Sequence, residues 1–469
     1  MTDEMPAAKG MKPSKRIILL LDGTWNDSDF GPTDTNVVRL QRVIAETLRD
    51  RKDNDKVERQ DPTKLTSSIN DEDGTNNIVF YERGIGTSWR DRFKGGIFGS
   101  GMPEKIRNAY RFLSFHYEPG CEVFVFGFSR GAYTARSLVG FIGAAGLLRC
   151  EDCTALNEET AWTYYRTPPN ERLPGVYSAL TPYVHNRDTV RISCLGVFDT
   201  VGALGIPLQR FKLLKLFNRD KYEFHTVDMS SITELNLHAL AIDEHRQPFE
   251  ASVWRRPKFK SYLSRTEQVW FPGVHSDVGG SYIPEVERKR DNPRSLDDVT
   301  LDWMLKRVKS KFPDFPADPE HWPSPDQKWA TAAQHETRHK FYRLMPLTLR
   351  SIGNYPIGGL RWRQYNGCYD RHAVPMWEKV HISSLQRLGE TVEVRERQKE
   401  LMYRYLPQNL IEALPFIRAT YGDTAPDVPT DIRYQIRIVG WNGEEFLPGN
   451  PQDCAKALAE VRQAIDRMK

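Results

Sequence analysis

The sequence predicts an α/β fold: a mostly parallel sheet flanked by helices, with insertions and a C-terminal extension or cap. Three observations predict it. Short continuous apolar runs, "RIILLL", "VFVFGF" and "CLGVF", read as strands covered on both faces. Segments with helical spacing alternate with them, as crossovers between parallel strands require. The chain has 469 residues, 39% hydrophobic and 27% charged, enough to bury a full core and unlike a disordered chain.

Composition excludes several classes. Lys and Arg number 66 against 62 Asp and Glu, a net charge of +4 with the signs interspersed, which gives no argument for nucleic-acid binding. No apolar window approaches the roughly 18 residues of a membrane span, so no integral membrane segment is expected. The polar start, "MTDEMPAAKGMKPSKR", has no signal-peptide core, so the expected location is the cytoplasm or a destination reached without a signal peptide. Cys150 and Cys153 form a single C-x-x-C with no second ligand pair, so free thiols are expected and no metal.

Residues 1–15 read as a disordered tail and 16–27 as a first strand ending in a turn. Residues 35–50 carry Val38, Leu40, Val43, Ile44 and Leu48 at helical spacing. The polar stretch 51–77 reads as a surface insertion, 77–86 as the next strand and 103–117 as a helix. "CEVFVFGFS" is a third strand, followed by a helix from about Gly131 to Leu148. Residues 189–203 and 267–280 contain further strands, and 230–246 between them reads as helical. The proline-rich stretch 311–327 reads as a linker or irregular loop, and no strong motif follows it. The expected organisation is a catalytic domain over 16–310 and an extension or small cap over 311–469.

The chemistry concentrates where the third strand ends. "GFSRG" places Ser129 between Gly127 and Gly131 on a strand-to-helix turn, the context that the nucleophile elbow of α/β-hydrolases demands. Glycines there let strand and helix approach closely, and the helix N-terminus favours a developing oxyanion. A tight turn with a small serine is the alternative. The fold's chain order, nucleophile then acid then histidine, is met by Asp199 at the end of "CLGVFDTVGA" and His275 in "VWFPGVHSDVGG". His275 would take the Ser129 proton, and Asp199 would fix its tautomer. Asp277 is the rival acid, with organisation of the "SDVGG" turn as its other role. His116, His225, His238 and His245 sit in or near helical stretches and are set aside as structural. The Arg130 N–H and a second donor, Gly23 or Thr24 of "LLDGTWND", would form the oxyanion hole, with Asp22 bracing that loop. "NDEDGTNN" fails as a calcium loop because the ligand register falls on Ile69 and Phe80, and "GIFGSG" lacks the P-loop lysine.

"DGTWND", "GFSRGAYTARSLVGFI", "FDTVGALGIP", "HALAIDEHR" and "WFPGVHSDVGGSY", in that order over about 16–310, resemble an uncharacterised α/β-hydrolase family. That family includes the type VI secretion lipase effectors of the first group. The resemblance implies an α/β-hydrolase fold and phospholipase activity delivered into rival bacteria. It maps the family nucleophile, acid and histidine onto Ser129, Asp199 and His275. It also implies a secretion-machinery or immunity partner.

The expected activity is ester hydrolysis through an acyl-enzyme, with a lipid or small ester as substrate and no cofactor. "IPLQRFKLLKLFNR" (206–219) mixes apolar residues with Arg210, Lys212, Lys215 and Arg219, so 204–229 reads as a lid or a peripheral membrane contact, or as a helix packed on the sheet. Two rival readings are a hydrolase-fold binding protein without strong catalysis, and an acyltransferase or peptidase using the same triad. The Ser129–His275 separation discriminates the first of these.

Overall fold

The structure, a computed structural model, describes residues 13–23, 34–51, 66–70, 74–83, 101–201, 230–246, 249, 251–254, 265–283, 288, 293–338, 347–353, 364–365, 368–369, 378–396, 399–425, 428 and 435–469. Thr24, His225, the 204–229 segment, most of the 1–15 tail and most of "GIFGSG" lie outside them.

The strands are β1 (Lys15–Leu21), β2 (Thr66–Asn70), β3 (Asn76–Glu82), β4 (Glu122–Phe128), β5 (Cys194–Phe198), β6 (Asn236–Ala241), β7 (Thr266–Phe271), β8 (Gln334–His335), β9 (Gln364–Tyr365), β10 (Cys368–Tyr369), β11 (Glu378–His381), β12 (Thr391–Glu396), β13 (Lys399–Arg404) and β14 (Ile436–Val439). Nine of them form one sheet in the order β14-β11-β7-β6-β5-β4-β1-β3-β2. Every neighbouring pair is parallel except the edge pair β2–β3.

The helices are α1 (Asn36–Asp50), α2 (Met102–His116), α3 (Arg130–Ala145), α4 (Ala155–Arg166), α5 (Pro174–Leu180), α6 (His275–Gly279), α7 (Leu296–Lys311), α8 (Ile382–Arg387), α9 (Gln408–Thr420) and α10 (Pro451–Met468). Alternation along the strands sorts the core into two layers. Ile17, Leu19 and Leu21 of β1 and Val123 and Val125 of β4 pack with α2, α3 and α4. Ile18 and Leu20, with Phe124, Phe126 and Phe128, face α1 and α7. Both faces are covered, which is why these strands are apolar from Ile17 to Leu21 and from Val123 to Phe128, beyond the Arg16–Glu122 pair at their start.

Several sequence expectations change here. The stretch 230–246 is not helical: β6 occupies Asn236–Ala241, buried at all six residues between β5 and β7. A six-residue stretch, "NLHALA", is too short to carry a period of its own, and its place in the sheet decides. His238 is therefore a strand residue, and His245 follows a strand rather than a helix. The polar insertion contributes β2, the antiparallel edge strand. The proline-rich stretch is not a detached linker. Phe315 and Ala317 are fully buried, and the Phe315 ring lies 4.7 Å from Phe124.

The C-terminal segment extends the main sheet. β11 pairs with β7, and β14 with β11. Trp270 Nε1 donates to Glu378 Oε2 at 2.7 Å across that junction. Helices α8, α9 and α10 cover this end with a third apolar cluster that includes Leu240, Trp270 and Val380. A small sheet, β13-β12-β8, completes the segment.

Candidate active site

The C-terminal ends of β4, β5 and β7 lead directly to Ser129, Asp199 and the turn before His275. Parallel strands bring such ends to one edge of the sheet. Ser129 has φ 58° and ψ −120°, a backbone that L-residues rarely adopt. Two bonds clamp it: Ser129 N–H donates to Phe198 O at 3.1 Å, and Tyr133 N–H donates to Ser129 O at 3.2 Å. The flanking glycines allow two different approaches. A Cβ on Gly127 would lie 2.6 Å from Gly131 O, in the first turn of α3. A Cβ on Gly131 would lie 2.0 Å from Leu21 O, at the end of β1.

Asp199 also has a positive φ, 38°. Its N–H donates to Ala239 O at 2.8 Å, and its Oδ1 accepts the Ala241 N–H at 3.0 Å. His275 is the first residue of α6. Its Nε2 lies 2.8 Å from Ser129 Oγ, and its Nδ1 lies 2.6 Å from Asp199 Oδ2. With Asp199 ionised, Nδ1 carries the proton and donates it, which leaves Nε2 to accept from the serine hydroxyl. The imidazole packs between Phe128, 4.7 Å away between centroids, and Phe249, 5.0 Å away. Its backbone N–H donates to Glu244 Oε2 at 3.3 Å. All three side chains are buried.

Charge in this pocket is balanced pairwise. Burial alone would raise the Asp199 carboxyl, but the Arg350 guanidinium and the bond from His275 hold it below the usual carboxylate range. Arg350 reaches Asp199 Oδ1 with Nη1 at 2.6 Å and Oδ2 with Nη2 at 3.0 Å. Burial would likewise raise Glu244, and the Arg246 guanidinium brings it below its ordinary value through bonds of 2.9 and 2.8 Å. Burial also lowers His275, against the opposing pull of the Asp199 bond and charge.

Asp277 does not reach the His275 ring. Its Oδ2 accepts the Val274 and His335 N–H groups at 3.0 and 3.1 Å, and its Oδ1 bonds His335 Nδ1 at 2.6 Å. Asp277 thus holds the α6 turn and ties it to β8. His238 is buried and pushed down to about 3 by burial. Its Nε2 accepts the Thr200 N–H at 3.2 Å, which places it beneath the Asp199 turn.

The loop after β1 passes beside the serine: a Cβ on Gly23 would lie 3.0 Å from Ser129 Cβ. The Gly23 N–H donates to Asp22 Oδ1 at 2.7 Å, so as an oxyanion donor it would have to leave that carboxylate. Asp22 braces the loop through Thr35 Oγ1 at 2.9 Å and the Tyr81 hydroxyl at 2.8 Å, and burial pushes its carboxyl up to about 6. Arg130 opens α3 beside Ser129, so its amide lies at the positive end of that helix.

Three contributors escaped the sequence reading. Glu244 sits inside "HALAIDEHR", one of the stretches that carry the family resemblance, but nothing there assigned it a role. Phe249 and Arg350 lie 50 and 151 positions from Asp199, in stretches without a motif.

Residues 15–307 match the family described as the type VI secretion (T6SS) phospholipase effector Tle1-like catalytic domain. An uncharacterised protein of Saccharomyces cerevisiae is 29% identical over 261 residues, which are 50% of this chain and 32% of that protein. The structure of the Tle1 effector bound to the VgrG spike of the type 6 secretion system aligns at 19% identity and a TM-score of 0.30, over 60% of this chain and 56% of its own. An uncharacterised protein from Pseudomonas aeruginosa aligns at 14% identity and a TM-score of 0.35, over 96% of this chain and 62% of its own. The chain spans less than two thirds of the length of each of these proteins.

Proposed function

The chain belongs to the Tle1-like phospholipase effector catalytic-domain family, and from that premise we propose that it is a serine hydrolase cleaving the carboxylic ester of a lipid, a phospholipid foremost. The observation that carries this reading is the relay Ser129 Oγ to His275 Nε2 at 2.8 Å and His275 Nδ1 to Asp199 Oδ2 at 2.6 Å. Ser129 Oγ attacks the ester carbonyl while His275 Nε2 takes its proton, and Asp199 stabilises the imidazolium. The tetrahedral oxyanion forms beside the Arg130 amide at the start of α3. His275 returns the proton to the leaving alcohol, which departs and leaves an acyl-serine. A water, deprotonated by His275, then attacks the acyl-serine and releases the fatty acid with Ser129 restored.

The left-handed backbone at Ser129 supports this reading over a tight-turn serine, because strain of this kind persists where surrounding structure over-determines it. Hydrogen-bond reach between Ser129 and His275 favours hydrolysis over a binding role. The test is labelling of one sample of the full chain with a fluorophosphonate and incubation of a second, unlabelled sample with phosphatidylethanolamine–phosphatidylglycerol vesicles. Label on Ser129 and release of free fatty acid and lysophospholipid are expected, and both vanish in Ser129→Ala. An unlabelled wild-type protein, or a Ser129→Ala variant that still releases fatty acid, overturns the proposal.

A further inference from the structure

We propose that Arg350 is a positioning residue for the Ser129–His275–Asp199 relay, one that locks the Asp199 carboxylate and tempers its hold on the His275 proton. The Asp199 carboxylate has four contacts. Oδ1 accepts from the Ala241 N–H at 3.0 Å and Arg350 Nη1 at 2.6 Å. Oδ2 accepts from His275 Nδ1 at 2.6 Å and Arg350 Nη2 at 3.0 Å. Four lone-pair sites are all a carboxylate has, so this one is saturated and cannot rotate without losing a bond. The guanidinium is itself fixed: Nη1 also donates to Ala241 O at 2.8 Å, and Nη2 to Phe249 O. Its backbone is tied in as well. Asn409 Nδ2 on α9 donates to both Arg350 O and Ile242 O, at 3.1 and 2.9 Å. Thr348 N–H donates to His245 O at 3.1 Å.

Two consequences separate this from a plain structural ion pair. A planar fork fixes the direction of Oδ2, and through it the plane of the imidazole. A permanent cation on Asp199 also shares the charge that would otherwise stabilise the imidazolium. Among the described residues, the charged groups near His275 are Asp199 after β5, Glu244 and Arg246 after β6, Asp277 on its own helix, and Arg350 behind Asp199; the Phe128 and Phe249 rings also pack on it. Arg350 lies outside the family match, which ends at residue 307, so a segment beyond the matched domain completes the site.

The inference rests on the serine-hydrolase reading for its chemistry, but one of its two readouts does not. Full-length Arg350→Gln and Arg350→Lys are compared with wild type by the pH dependence of fluorophosphonate labelling. The His275 ring titration is followed in parallel by NMR on histidine-labelled protein, with His275→Asn assigning the signal. Loss of the cation in Arg350→Gln should raise the His275 midpoint by about one pH unit. Arg350→Lys keeps the charge without the fork, so its midpoint should stay put while labelling slows about tenfold. An unmoved midpoint in Arg350→Gln overturns the electrostatic role. Wild-type labelling in Arg350→Lys overturns the positioning role, and decides the matter if the glutamine variant does not fold. A protein that fluorophosphonate leaves unlabelled, yet whose His275 midpoint moves in Arg350→Gln, retains the Arg350 role and sinks the hydrolase reading instead.

Discussion

Two aspartates illustrate how single residues divide the labour. Asp199 faces His275 and Arg350, whereas Asp277 faces His335 and the α6 turn. Asp199→Asn should therefore reduce turnover of a p-nitrophenyl ester by about 10⁴, through the wrong histidine tautomer. It should also cost about 3 kcal/mol of stability, because Arg350 is left buried without its anion, measurable by urea unfolding. Asp277→Asn should lower the melting temperature while ester turnover stays within a few-fold of wild type. The reverse pattern would make Asp277 the acid. The His275 environment gives a further expectation. Burial lowers its pKa, so the neutral base persists to lower pH, and the acid limb of kcat/KM should fall below the ordinary histidine value of about 6.5. An acid limb above that value in the wild-type profile would contradict it.

Among the elements, the turn from β4 to α3 carries the tightest constraint. Gly131 packs against the backbone of Leu21, and no side-chain rotation relieves a contact with backbone. Gly131→Ala should cost about 3 kcal/mol or more, read by urea denaturation, since either β1 or α3 must move. The same geometry explains why this element was legible. A buried strand, a small-residue turn and an apolar helix follow each other within 24 residues from Glu122 to Ala145. Strand β6 was not legible, because "NLHALA" is short, uniformly buried and rich in helix formers. Its pairing with β5 and β7 supplies the preference that its residues lack.

At the scale of the whole molecule, the sheet does not end with the matched domain. β11 and β14 continue it past β7, and their removal would expose the β7 edge and buried residues such as Trp270. A chain cut after residue 310 should accordingly be insoluble or unfolded, as circular dichroism and sedimentation would show. A soluble, fluorophosphonate-reactive fragment of that length would refute both this expectation and any need for Arg350. Among the described residues, no helix is long and apolar enough to cross a membrane.

The sequence by itself determined the layered α/β class, because strands covered on both faces must be apolar throughout. It also singled out Ser129, Asp199 and His275, because residues at the ends of parallel strands carry their own local signature of apolar run, turn and glycine. Only the tertiary structure decided that β6 is a strand, that the C-terminal segment joins the same sheet, and that Arg350 sits on Asp199. Those outcomes depend on which segments pack together across 100 residues or more. A buried ion pair such as Arg350–Asp199 leaves no periodic trace in the chain, since its partners need only meet in space.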